Sequence, residues 1–372
     1  MTIHRRDVLA GMTGVAVTGF AASRETAVRA QNRGPGRRVR KIATEEACCI
    51  PEIAERYAQL SRSVWENLDF KLVGGIYDAP RSAPSPLLPQ LLDIDAGRLA
   101  VMDANNVDVH LLSQTAPGVQ LFDADSATAL AALANDRIAA AVRKHPTRFA
   151  GLATFAPQDP KRAVVEMERA IKTLKLNGFI VNSHTNNEYL DQQKYWPILE
   201  AAEALGAPIY IHPRAPSDGM AAPFRDYRLD AAVWGYGMET STHAVRLIFS
   251  GVFDRFPNLT IVLGHMGEAV PFWLWRLDYM GNPNRGRTPQ KLLPSEYFRK
   301  NFAITTSGVE DSLALRYSID KLGIDKVMWA IDYPYQPTAP AVRWIDSAPI
   351  GDEEREMLCH RNAERIFKIA AT

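Results

Sequence analysis

The feature that most constrains this chain is a rhythm. Eight short, β-rich apolar runs are separated by longer stretches with helical spacing. The runs are RKIATEEA (40–47), VDVHLLSQ (107–114), FAGLATFA (149–156), GFIVNSHT (178–185), APIYIHPR (207–214), LTIVLGHM (259–266), NFAITTSG (301–308) and VMWAIDYP (327–334). Their near-continuous apolar character predicts strands buried on both faces. Intervening stretches such as SATALAALANDRIAAAVRKH open on an N-cap candidate, Ser126, and repeat apolar residues at helical spacing. Strands alternating with helices imply a parallel sheet, and eight units fit a closed (β/α)8 TIM barrel. An open doubly wound sheet would usually carry a glycine-rich phosphate loop after its first strand, and the corresponding EEACCIP is not one. Residues 57–98 and 215–240 interrupt the rhythm as long βα insertions, which on a barrel lie over the site.

Composition adds limits. A length of 372 residues suggests two domains by count, yet one barrel uses the same length. A net charge of +1 gives no electrostatic reason to expect nucleic acid or an anionic membrane as partner. The first thirty residues differ from the rest, with twin arginines (Arg5, Arg6), a short glycine-rich apolar run, and small residues at Val28 and Ala30. The run is too short for a comfortable membrane span. It reads as a twin-arginine export signal over 1–30, followed by a linker at 31–39 and a single barrel domain at 40–372. A periplasmic or exported mature protein is therefore expected, or a cytoplasmic one if the signal does not function. Cys48, Cys49 and Cys359 have no metal-type spacing, and their odd number does not suit a disulfide scaffold. Buried, inert thiols are expected.

The chemistry gathers where the runs end. Run one ends in Glu45 and Glu46, run four in His184, run five in His212, run six in His265 and run eight in Asp332. In a barrel these ends converge on one face, where sites are built. Histidines with carboxylates form an oxygen/nitrogen ligand set for a metal. The competing reading is a network of buried, hydrogen-bonded polar groups. By the two-residue period of a strand, Glu45 and Glu46 point to opposite faces, so one acid serves the site and the other a structural role.

The segments IATEEA, PGVQ, AND, APQDP, NSHT, YIHP, GHMGEAVPFWLWRLDYM, SGV, DYPYQ and NAERIFK run in order from Arg40 to Lys368. With them the chain resembles the amidohydrolase superfamily. Within it, the likeness is to the metal-dependent aromatic decarboxylases related to aminocarboxymuconate semialdehyde decarboxylase. The superfamily's usual first-strand His-x-His is replaced by Glu45, Glu46 and Ala47.

The resemblance implies one divalent metal held by Glu45, His212 and Asp332, with Glu46 as a structural carboxylate. Two carboxylates and an imidazole suit Mn2+ or Mg2+, with Zn2+ as a further option. It also implies a carboxy-lyase acting on a hydroxylated or methoxylated benzoate, 5-carboxyvanillate or an ortho-hydroxybenzoate. Asp332 would protonate the ring carbon before CO2 leaves. His265 and Glu268, at i and i+3, would pair beside the substrate; Glu268 can equally serve as a helix N-terminal acid. Tyr335, His184, Arg214 and Arg228 are the expected substrate contacts. His184 can instead cap a strand end, and Arg214 can pair with a loop acid. The family's first-loop arginine aligns with Ala83, leaving Arg81, Arg225 or Arg228 to replace its grip. Phe272, Trp273, Trp275 and Tyr279 read as helix packing. A homo-dimer or tetramer is expected by resemblance. The alternatives are a hydrolase of a lactone, ester or amide using metal-bound hydroxide, and a non-catalytic binder of an aromatic acid.

Overall fold

Each apolar run becomes a parallel strand, in the sequential order β1 to β8. The strands are β1 (Ile42–Cys48), β2 (Val109–Gln114), β3 (Phe149–Thr154), β4 (Gly178–Asn182), β5 (Ile209–His212), β6 (Ile261–Leu263), β7 (Phe302–Thr305) and β8 (Val327–Met328). This computed structural model describes residues 38–63, 67–78, 85–286 and 288–371. The export signal expected at 1–30, and with it Arg81 and Ala83, lies outside the described residues.

Two apolar layers follow from the two-residue strand period. Ile42, Val109, Leu111, Leu152, Ile180, Tyr210, Val262 and Met328 pack inside the barrel, and Phe367 from the C-terminal segment joins them. Their neighbours Ala43, Leu112, Phe179, Ile209, Ile211, Leu263 and Ile304 face outward beneath the helices. Those helices include α1 (Pro51–Ser63), α2 (Leu68–Tyr77), α3 (Ala96–Ala104), α4 (Ala124–Lys144), α5 (Pro160–Lys172), α6 (Trp196–Leu205), α7 (Gly235–Phe249), α8 (Val270–Met280), α9 (Ser312–Leu322) and α10 (Thr338–Ser347). The cap of α4 is Asp123, whose side chain accepts from Ser126 N, rather than Ser126 itself. The first insertion is largely helical among its described residues, since the second half of α1, all of α2 and a short helix at Leu87–Leu92 fall within it. Cys48, Cys49 and Cys359 are all buried, as expected.

The eighth strand is much shorter than its run. The barrel nevertheless closes, because Thr44 N donates to Trp329 O (3.2 Å) and Ala47 N to Tyr333 O (2.8 Å). On its other side β1 slips: Ala43 faces His110, but Glu46 faces Leu112. Three residues of β1 thus match two of β2, which is a β-bulge. Without it, strict alternation from the inward Ile42 would send Glu45 outward. The extra residue reverses the faces, so that Glu45 enters the barrel mouth and Glu46 leaves it.

Candidate metal and active site

Glu45, His212 and Asp332 bring one ligand-type atom each to within 4.8 Å of one another, the one such group among the described residues. The two oxygens of Glu45 are used differently. Tyr210 and Ser307 donate hydroxyl hydrogens to Oε2, and Thr305 Oγ1 donates to it at 3.0 Å. Oε1 is buried with no hydrogen-bond partner. A buried carboxylate oxygen left bare is costly unless something meets it, so its surroundings fit a cation. It lies 3.4 Å from His212 Nε2. His212 Nδ1 lies 2.8 Å from the carbonyl oxygen of Pro213, which fixes the ring hydrogen there and leaves the Nε2 lone pair for a metal. Burial pushes Glu45 up, but the neighbouring His265 and His212 rings and the bonds from Ser307 and Tyr210 outweigh it and hold the carboxyl below its usual value.

Asp332 and His265 form the second half. Asp332 Oδ2 lies 3.8 Å from His265 Nε2, and His265 Nδ1 lies 2.8 Å from Glu268 Oε1. Burial raises Asp332, with the Glu45 charge adding to it, while His265 pulls the other way; the net direction is upward. Burial works against charging His265, yet Glu268, Glu45 and Asp332 overcome it and keep the imidazole protonated well above its usual range. The result is a cation enclosed by three carboxylates.

The backbone carrying that cation is unusual. From His265 to Ala269 every φ is positive: 48°, 56°, 75°, 53° and 60°. Four of these residues are not glycine, and left-handed helix costs about 1–2 kcal/mol per residue. His265 N donates to Ser307 Oγ (3.0 Å), and buried Met266 anchors the turn in the outer core. Gly264 is needed for a different reason, since a Cβ there would fall 2.6 Å from Glu45 Oε2. This is why β6 ends at Leu263, short of the expected run.

Residues 86–369 match the amidohydrolase family. The chain belongs to this family. Its eight parallel strands and flanking helices are the amidohydrolase barrel. A 5-carboxyvanillate decarboxylase, LigW, from Sphingomonas paucimobilis has a crystal structure similar to this amidohydrolase at a TM-score of 0.87. It is 56% identical, over 90% of this chain and 100% of its own. A 5-carboxyvanillate decarboxylase from Novosphingobium aromaticivorans DSM 12444 was solved with manganese and 4-hydroxy-3-methoxy-5-nitrobenzoic acid. Its TM-score is 0.84 at 39% identity, over 89% of this chain and 96% of that one. A gamma-resorcylate decarboxylase from Polaromonas sp. (strain JS666 / ATCC BAA-500) is 36% identical over 293 residues, 76% of this chain and 90% of the relative. The relatives named as decarboxylases place this amidohydrolase in the decarboxylase branch.

The remaining residues singled out in the sequence fall into two groups. Tyr335 is brought to the mouth, its hydroxyl 2.6 Å from Thr115 Oγ1, and burial raises its pKa. Arg214 instead forms an ion pair with Asp69 of α2, and its Nη1 donates to His184 O (3.0 Å). His184 has both ring nitrogens occupied by backbone: Nε2 sits 3.1 Å from Ala215 O, and Asn187 N donates to Nδ1 at 3.3 Å. Burial, and then the Arg214 charge, lower its pKa to about 3, so it is a neutral strand-end tie. Arg225 and Arg228 are exposed. The aromatic set on α8 is also unlike its expectation. Phe272, Trp273, Trp275 and Tyr279 are 69%, 52%, 69% and 54% exposed, because Val270, Pro271 and Leu274 take the buried side of the helix.

Sequence reading missed Tyr210, Thr305, Ser307 and Asp69. Tyr210 carried a signal, as the polar tip on an inward position two before His212. Asp69 carried none, because its partner lies 145 residues away. Beside His265 and Glu268 opens a cavity of about 270 Å³, lined also by Pro213, Trp234, Tyr236 and Met238.

Proposed function

We infer that this chain is a metal-dependent, non-oxidative decarboxylase of aromatic acids, and we propose a hydroxylated or methoxylated benzoate of the 5-carboxyvanillate kind as substrate. The observation that carries the reading is the divided Glu45 carboxylate, with one oxygen saturated by three hydroxyls and the other bare, facing His212 and Asp332. Glu45, His212 and Asp332 would hold the ion. Relatives solved with manganese support Mn2+ as its identity. When bound, the metal would supply positive charge for a substrate carboxylate and its neighbouring phenol oxygen.

The chain's own groups then have separable tasks. Asp332, beside the His265 cation, would deliver a proton to the ring carbon that bears the carboxylate. The C–C bond pair returns to the ring as CO2 departs, which restores aromaticity without an aryl carbanion. Glu268 holds the position of His265 and supports its charge, and the His265 cation would stabilise the substrate anion. Tyr335, tied to Thr115, would contact the ring substituents. Arg214 would act through the loop it fastens, and Arg228 would reach substrate only by a movement of its loop. The hydrolytic alternative fits less well, since Ala47 stands where a second histidine ligand would be.

The chain would be exported by its N-terminal twin arginines and act as a homo-oligomer. The exposed aromatic face of α8 supports the latter, because contiguous exposed apolar surface is usually covered. The test is direct. Mn2+-loaded protein is incubated with ortho-hydroxybenzoates, esters and lactones while CO2 and products are followed. Release of CO2 from a hydroxybenzoate is expected; ester or lactone turnover with no CO2 from any benzoate would overturn the reading.

A further inference from the structure

The seam between β1 and β8 is out of step. Between Thr44 and Ala47 lie three steps of β1, whereas their partners Trp329 and Tyr333 are four steps apart. A regular parallel ladder would send the amides of Ile331 and Tyr333 to carbonyls of β1. Here the Glu46 side chain receives both: Ile331 N donates to Oε1 at 3.1 Å and Tyr333 N to Oε2 at 3.2 Å. Both donors belong to buried residues, and Glu46 itself is fully buried. The residue between the two amides is Asp332, at φ +74°, a conformation that an aspartate adopts only when its surroundings impose it.

We propose that Glu46 is a positioning residue, whose carboxyl group clamps the two peptides flanking Asp332 and so aims the Asp332 side chain at Glu45 and His212. The bulge that turns Glu45 into the mouth turns Glu46 onto the seam, so one irregularity of β1 places both a ligand and the brace for another ligand. The inference rests on Asp332 being a metal-holding residue as proposed above.

The test compares Mn2+ affinity, read from the free-ion electron paramagnetic resonance signal, in four proteins: wild type, Glu46→Gln, Asp332→Asn and the double variant. Glutamine keeps the volume but presents an NH2 group to one of the two amides. Glu46→Gln is expected to weaken Mn2+ binding about 10–100-fold. It is expected to add little in the Asp332→Asn background, because the aim of a missing ligand no longer matters. Equal losses in both backgrounds, or wild-type affinity in Glu46→Gln, overturn the inference. An Asp332→Asn protein that binds Mn2+ normally overturns the metal reading instead, so the two failures are distinct. Thr44→Val, which removes a seam bond to Trp329 O away from Asp332, should lower thermal stability while leaving Mn2+ affinity unchanged. Hydrogen exchange of the Ile331 and Tyr333 amides in the wild-type protein needs no variant. Both should be among the slowest, and exchange as fast as in exposed loops overturns the clamp.

Discussion

At the residue scale, the site is a set of unequal carboxylates made unequal by their donors. Glu45 has hydroxyl bonds on one oxygen, Glu268 has an imidazole, and Asp332 faces the same imidazole from the other side. Asp332→Asn should lower kcat by about 10²–10⁴, the range for losing a general acid, with CO2 release as the measurement. Glu45→Ala should purify without stoichiometric metal by elemental analysis; full metal would refute its role as a ligand. Ser307→Ala removes a donor to Glu45 and the acceptor for His265 N together. It should destabilise the fold by about 1–3 kcal/mol in urea titration. Which strand-end acids and histidines meet was legible from chain order, because strand ends of a barrel share a face. Which oxygen of Glu45 remains bare was not, since it depends on Tyr210 from the fifth run and on Thr305 and Ser307 from the seventh.

Elements place these groups through their irregularities. The strand runs could be read because burial on both faces writes a continuous apolar signature. The points where β6 and β8 stop could not, because a left-handed turn and a side-chain clamp leave no periodic trace. The first insertion interrupts the strand and helix rhythm of the sequence, yet α2 within it delivers Asp69 to Arg214. Gly264→Ala is the sharpest test at this level. The added methyl would enter the Glu45 carboxylate at 2.6 Å. A folded protein with about 10–100-fold weaker Mn2+ binding is expected, measured by metal titration beside circular dichroism.

For the whole molecule, pH acts through histidines that are buried without charge. His184 and His243 are both lowered from the usual 6.5 to about 3, by burial first and then by nearby arginines. The unfolded chain therefore binds more protons between about pH 6.5 and 3, so folding stability falls as pH falls through that window. Thermal midpoints should drop across it, and His184→Gln should flatten the slope. The proposed association is tested at the same scale: Trp275→Glu on the exposed face of α8 should shift sedimentation toward smaller species if that face joins subunits.

The three buried cysteines give the molecule a built-in clock. Burial pushes the Cys48 thiol to about 11 and that of Cys49 to about 12, so the reactive thiolate is scarce at neutral pH as well as screened from reagents. Cys359 lies beside Leu358, whose carbonyl accepts from Trp329 N at the barrel seam. A thiol reagent can therefore mark these positions only when the wall of the barrel parts. The labelling rate, followed with and without Mn2+, would report how often it does so.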